Sequence, residues 1–194
     1  IEAPYPHDTN VPIETKSDDI SDINVSKNLI SSKPDIIFHL AAIVSGQAEQ
    51  EFDLGWDINA KGSWGLFEAI RNQGENYCPR LVFTSSIAVF GAPFPDKIPD
   101  DFFTTPLTSY GAQKAISELL LADYSRKKMI DGVSIRLPTI CVRPGKPNLA
   151  ASGFFSGIIR EPLNGQEAIL PVNPDVRHWH ATPRAAAGFL VHAA

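Results

Sequence analysis

The sequence predicts an open, parallel α/β sheet, and three observations carry that prediction. Three apolar runs of strand length occur: PDIIFHLAAIV (residues 34–44), RLVFTSS (80–86) and GVSIRL (132–137). Continuous runs rich in Ile and Val suit strands buried on both faces of a parallel sheet. Two long helical patterns, over residues 51–72 and 108–128, separate the runs. Strand, helix, strand, helix, strand then requires right-handed crossovers between parallel neighbours.

Taken in order, the first ten residues, with Pro4 and Pro6, read as loop, and residues 11–16 as a weak strand. Asp22 can cap a short helix running to Ser32, with Ile23, Leu29 and Ile30 on its apolar face. In the first long helix Leu54, Ile58, Leu66, Phe67 and Ile70 recur near helical spacing, and Gly74 lies just beyond its end. Residues 91–106 hold four prolines in sixteen positions and read as loop. Beyond Arg143 the pattern weakens into a loop, a short helix over 152–160, a short strand over 166–171 and a final helix after RHWHATPR.

The chain has 194 residues, enough for one domain or for one domain and part of another. No run of 18 apolar residues occurs, so a membrane span is not expected. A net charge of −5 argues against nucleic acid, whose backbone needs a basic face. Cys78 and Cys141 make no metal-ligand spacing and read as reduced thiols, which suits the cytoplasm. A small-molecule substrate is the expected partner. The sequence starts at Ile1, has Met129 as its single methionine and stops inside a helical pattern, so a chain incomplete at both ends is expected.

In parallel sheets ligands bind at the carboxyl ends of the strands. Those ends read HLAAIVSG, TSSIAVFG and LPTICVRPG, all with small or hydroxyl residues beside which a flat ligand can lie. Tyr110 opens the second long helix 24 residues after Ser86, at a strand end. Lys114, four positions on, shares its helix face. Free tyrosine titrates near 10; a neighbouring cation that lowered it by about three units would supply about 4 kcal/mol toward a phenolate base. A serine hydroxyl holding the substrate oxygen completes an apparatus for alcohol oxidation.

Tyr124 and Lys128 repeat the spacing, and chance supplies roughly 0.2 such pairs in a chain with four tyrosines. Tyr124 lies roughly 21 Å further along the axis. It sits among Arg126, Lys127 and Lys128, cations that suit a helix C-terminus. Tyr110 is therefore the stronger candidate.

The ordered motifs HLAA, DINAKGSWGLFEA, LVFTSSIAVFG, SYGAQK and IRLPTICVRPG resemble the extended short-chain dehydrogenase/reductases, a group that includes nucleotide-sugar epimerases. The resemblance covers about residues 19–184. It implies a Rossmann-like doubly wound sheet over residues 1–145, then part of a small substrate-binding region and a returning helix over 146–194. It implies Ser86 as the serine orienting the substrate hydroxyl, Tyr110 as the base, and Lys114 on the nicotinamide ribose. Asn59 would lie near the cofactor, Leu40, Ala41, Ala42 and Thr84 would line it, and Pro138, Thr139 and Ile140 would flank the nicotinamide. Asp19 and Ile20 would meet the adenine. TSSIAVFGAP, RLPTICVRPGKPN, SGFFSG and RHWH are similar to a branch that oxidises a four-carbon sugar acid at C2 with NAD. A homodimer packed through the two long helices is implied as well.

One departure stands out: the family's G-x-x-G-x-x-G turn is absent, and GSWG at residues 62–65 lies mid-helix. That turn is expected to precede Ile1, together with the residue that separates NAD from NADP, so NADP stays open. For a sugar-acid carboxylate, Arg143 and Arg177 are the candidate guanidinium forks and Ser45 a hydroxyl partner, with Arg184 and Lys146 behind them. His178 and His180 lie two apart, but no third ligand is near in sequence, so no metal is expected. Three functions are weighed: a sugar-acid dehydrogenase, a nucleotide-sugar epimerase or dehydratase with tightly held NAD, and a non-catalytic Rossmann-like binding module.

Overall fold

The structure, a computed structural model, describes residues 12–145 and 149–194. The first ten residues and Lys146 therefore lie outside the described residues. Three parallel strands form the main sheet in the order β1 (Ile36–His39), β2 (Arg80–Ser86), β3 (Asp131–Leu137). A second, two-stranded parallel sheet pairs β4 (Thr139–Ile140) with β5 (His180–Ala181).

Helix α1 (Ile23–Ile30) starts as its cap predicts, with Asp22 accepting the Asn24 N–H. A short helix absent from the pattern reading, α2 (Ser45–Gln50), follows β1. The first long helix is continuous but not uniform. It runs as α3 (Phe52–Gly55), a π-helical stretch (Trp56–Gly62) and α4 (Ser63–Arg71). Helix α5 (Ser109–Arg126) is capped by Thr108, whose hydroxyl accepts the Gly111 N–H at 3.1 Å. Helices α6 (Phe154–Leu163) and α7 (Pro183–Ala193) complete the described chain.

The core lies where α4 and α5 meet the sheet: Phe67, Ile70, Leu81, Phe83, Leu121 and Ile130 are buried together. Each such side chain contributes about 1.5–3 kcal/mol by leaving water. Strand β2 is central and buried on both faces, as its apolar run predicts. Strand β1 is not. It ends at His39, pairs only with β2 among the described residues, and leaves Ile36 and Phe38 exposed. Residues 12–16 and 166–171 form no strand; Ile13, Ile169 and Leu170 are exposed, with no neighbouring strand to pair with them among the described residues.

Candidate active site

Helix α5 begins against the end of β2. Gly111 permits the approach, since a Cβ there would fall 2.2 Å from the Ala88 carbonyl oxygen. Ser86 closes β2 and its Oγ accepts the Ala88 N–H at 3.1 Å, starting the short 3₁₀ turn Ile87–Val89. The Ser86 side chain lies close enough to Tyr110 to draw its phenol downward. Lys114, 1% exposed, donates from Nζ to the Thr84 carbonyl at 2.8 Å and lies 5.7 Å from the Tyr110 ring centroid. Ser86, Thr84, Tyr110 and Lys114 therefore converge at one strand end.

The electrostatics differ from the simple expectation. Burial pushes the Tyr110 phenol above its ordinary value, and the Ser86 side chain only partly draws it back. The net direction is upward, opposite to the fall expected from the neighbouring ammonium, because desolvation dominates. Burial likewise brings Lys114 down to about 8. His39, singled out by no sequence argument, is pushed down to about 4, first by burial and then by the Lys114 charge. Its imidazole Nε2 hydrogen-bonds the Ser63 hydroxyl at 2.9 Å, and its carbonyl accepts the Thr84 hydroxyl at 3.1 Å.

Asn59 sits in the π-helical stretch and is buried. Its Oδ1 accepts the Ile43 N–H at 2.9 Å, while Nδ2 donates to the Ile43 carbonyl at 3.3 Å and to Gln113 Oε1 at 2.8 Å. It thus ties the segment after β1 to α5, through Gln113, a residue the sequence reading missed. Leu40, Ala41 and Ala42 are exposed at that strand end, beside Thr84. Asp19 accepts hydrogen bonds from Ser21, and Ile20 packs close to Gly62.

The remaining candidates lie around this centre. Thr139 is buried and its hydroxyl hydrogen-bonds His178 Nε2 at 2.8 Å. Pro138 lines a cleft of about 390 Å³ with Ile87, Phe90, Arg136, Trp179 and His180, and Ile140 pairs with Ala181. Ser45 Oγ accepts the Ala151 N–H at 3.1 Å. Arg143 is fastened by its backbone, its N–H to Ser156 and its carbonyl to Arg160. Arg177 and Arg184 are exposed. His178 stacks on Phe155 at 4.7 Å, and among the described residues no group of three metal-ligating side chains forms.

Tyr124 takes a different part. Its phenol donates to Glu68, and burial, that carboxylate's hydrogen bond and its charge push it up to about 12. It packs against Phe67 at 5.9 Å, which makes it part of the helix interface.

The profile of the NAD dependent epimerase/dehydratase family matches residues 5–181. The chain belongs to that family. It is 53% identical over 174 residues to D-erythronate dehydrogenase of Cupriavidus necator, covering 90% of this chain and 53% of that protein. It is 48% identical over 165 residues to D-erythronate dehydrogenase of Haemophilus influenzae, covering 85% and 52%. The chain therefore spans about half the length of these curated relatives. A crystal structure described as a nucleoside-diphosphate-sugar epimerase from Agrobacterium tumefaciens superposes with a TM-score of 0.91 at 60% identity, covering 98% of this chain and 56% of that one. The epimerase/dehydratase fold accounts for the parallel sheet and its helices.

Proposed function

We propose that the protein oxidises a small sugar acid such as D-erythronate at its C2 hydroxyl, with NAD as acceptor. The reading rests on the convergence of Ser86, Tyr110 and Lys114 in a chain about half identical to two D-erythronate dehydrogenases. In it, Ser86 holds the substrate hydroxyl and Tyr110 takes its proton. Lys114 is the fixed positive charge that favours the phenolate once substrate is seated. Arg143 or Arg177 receives the carboxylate, and Ser45 a further hydroxyl.

The residues fit the nicotinamide end of a dinucleotide. Exposed Leu40, Ala41 and Ala42 leave an open floor next to Thr84, and a buried ammonium stands behind it. NAD, when bound, supplies the hydride acceptor. Leu40, Ala41, Ala42 and Thr84 would hold its flat ring, Lys114 its ribose, and Asp19 and Ile20 its adenine. Pro138, Thr139 and Ile140 close the nicotinamide side in the same reading, and Asn59 keeps the floor in place. NAD in preference to NADP belongs to this proposal, as do a cytoplasmic location and a homodimer. Exposed Trp64 on α4 and Leu119 on α5 support the homodimer. Among the described residues, no helix is long and apolar enough to cross a membrane.

The test is NADH formation by the purified complete protein supplied with D-erythronate and NAD. Steady production is expected, and Tyr110→Phe should lower kcat by about 10²–10⁴-fold with folding unchanged. Inactivity on every short aldonate would overturn the reading. The 60% identical neighbour's description favours a second one, nucleotide-sugar epimerisation by the same triad. Turnover of a UDP-sugar without net NADH would reverse the ranking.

A further inference from the structure

Glu118 lies four residues beyond Lys114 and eight beyond Tyr110, on the same stripe of α5. It makes no hydrogen bond to Ser86, yet it grips two strands at once. Ser85, 3% exposed, donates its hydroxyl to Glu118 Oε1. Arg136 closes a fork on the same carboxylate, Nε to Oε1 at 3.1 Å and NH2 to Oε2 at 2.9 Å. Ser85 and Arg136 are register partners on β2 and β3, one residue before the Ser86–Leu137 pair. The Phe90 ring, 4.9 Å from the guanidinium carbon, supports the fork from the side. The loop carboxylates Asp100 and Asp101 line the same cleft as Glu118 and Arg136.

Ser85 faces Glu118 on α5, and Ser86, the last residue of β2, leads into the 3₁₀ turn with its Oγ accepting the Ala88 N–H. The bond Ser85 makes with Glu118 therefore fixes the backbone that leads into Ser86, whose side chain lies beside Tyr110. A charge-assisted fork on a largely buried carboxylate is among the stiffer connections available between a helix and a sheet. We propose that Glu118, held by Arg136 and binding Ser85, is a positioning residue that sets the separation between Ser86 and Tyr110. The role rests on the dehydrogenase reading above, in which those two hydroxyls share the substrate oxygen.

The experiment uses the purified complete protein and two readouts. In tyrosine labelled with ¹³C at Cζ, the Tyr110 titration is followed by NMR and assigned with Tyr110→Phe; kcat and KM are measured separately. Ser85→Ala removes only the serine link and leaves the Glu118–Arg136 fork. Tyr110 should then titrate at higher pH, because the Ser86 contact that favours its ionised form is weakened. Activity should show kcat lower by about tenfold to hundredfold, with KM within about twofold. Ser85→Thr, which keeps the hydroxyl, should restore both, and Glu118→Gln should behave as Ser85→Ala does. An unchanged Tyr110 titration in folded Ser85→Ala and Glu118→Gln would overturn the proposal, even if both variants melt earlier. A wild-type protein inactive on short aldonates sinks the dehydrogenase reading instead, and the titration still decides this one.

Discussion

A buried imidazole stands beside a buried ammonium at the end of β1 and β2, and this pairing has a consequence for stability. His39 titrates near 4 in the folded protein against about 6.5 when unfolded. Below pH 6.5 the unfolded chain takes up a proton that the folded chain refuses. Stability should therefore fall as pH drops from about 6.5 to 4, by an amount of order 3 kcal/mol. Urea unfolding as a function of pH checks this, and His39→Gln should flatten the dependence. The two tyrosines at matching spacing should separate cleanly. Tyr124→Phe loses a hydrogen bond to the Glu68 carboxylate and should cost about 1.5–3 kcal/mol while leaving kcat near that of the wild type. Tyr110→Phe should do the reverse.

Among the elements, the interrupted first long helix and the start of α5 hold the strand ends together. The π-helical stretch presents Asn59 to both polar groups of Ile43, and π-turns often occur at functional sites. Asn59→Ala would leave the Ile43 N–H and carbonyl and Gln113 Oε1 without that partner. A loss of about 1–3 kcal/mol is expected in denaturant titration, with weaker cofactor binding by calorimetry as the segment after β1 loosens. Gly111 has the opposite sensitivity, because the threat there is addition. In Gly111→Ala the new methyl would meet the Ala88 carbonyl at 2.2 Å and Pro106 Cβ at 3.0 Å. The helix start must move away from the Ser86 turn, costing about 1–3 kcal/mol. Its kcat should fall further than that of Gly157→Ala in α6, where the nearest atom to a new Cβ is Glu161 Oε1 at 3.5 Å.

At the scale of the whole molecule, the outer side of β1 is an apolar strand edge that no described strand covers. Its outer edge has no partner among the described residues, and Ile36, Phe38 and Leu40 are 48%, 43% and 53% exposed along it. Unpaired strand edges with apolar side chains recruit other strands. A polypeptide of these 194 residues should therefore self-associate, read by light scattering, and Phe38→Lys should reduce the association. If scattering stays at the monomer level in both, the edge is better protected than its exposure indicates.

The order of the three main strands and the two long helices between them, the cap at Asp22, and the place of Tyr110 at a helix start were legible in the sequence. They depend on periodicity, short-range hydrogen bonding and position at a strand end, which are local properties. Glu118 was half legible, since its spacing from Lys114 is helical, but its partners Ser85 and Arg136 lie 33 and 18 residues away. The sheet register alone brings them together. His39, Gln113 and the π-helical stretch were hidden for the same reason: their environments are made by contacts between elements. The upward displacement of Tyr110 was hidden as well. Sequence supplied the cation at the right spacing, whereas burial, a property of the packed tertiary structure, determined the net direction.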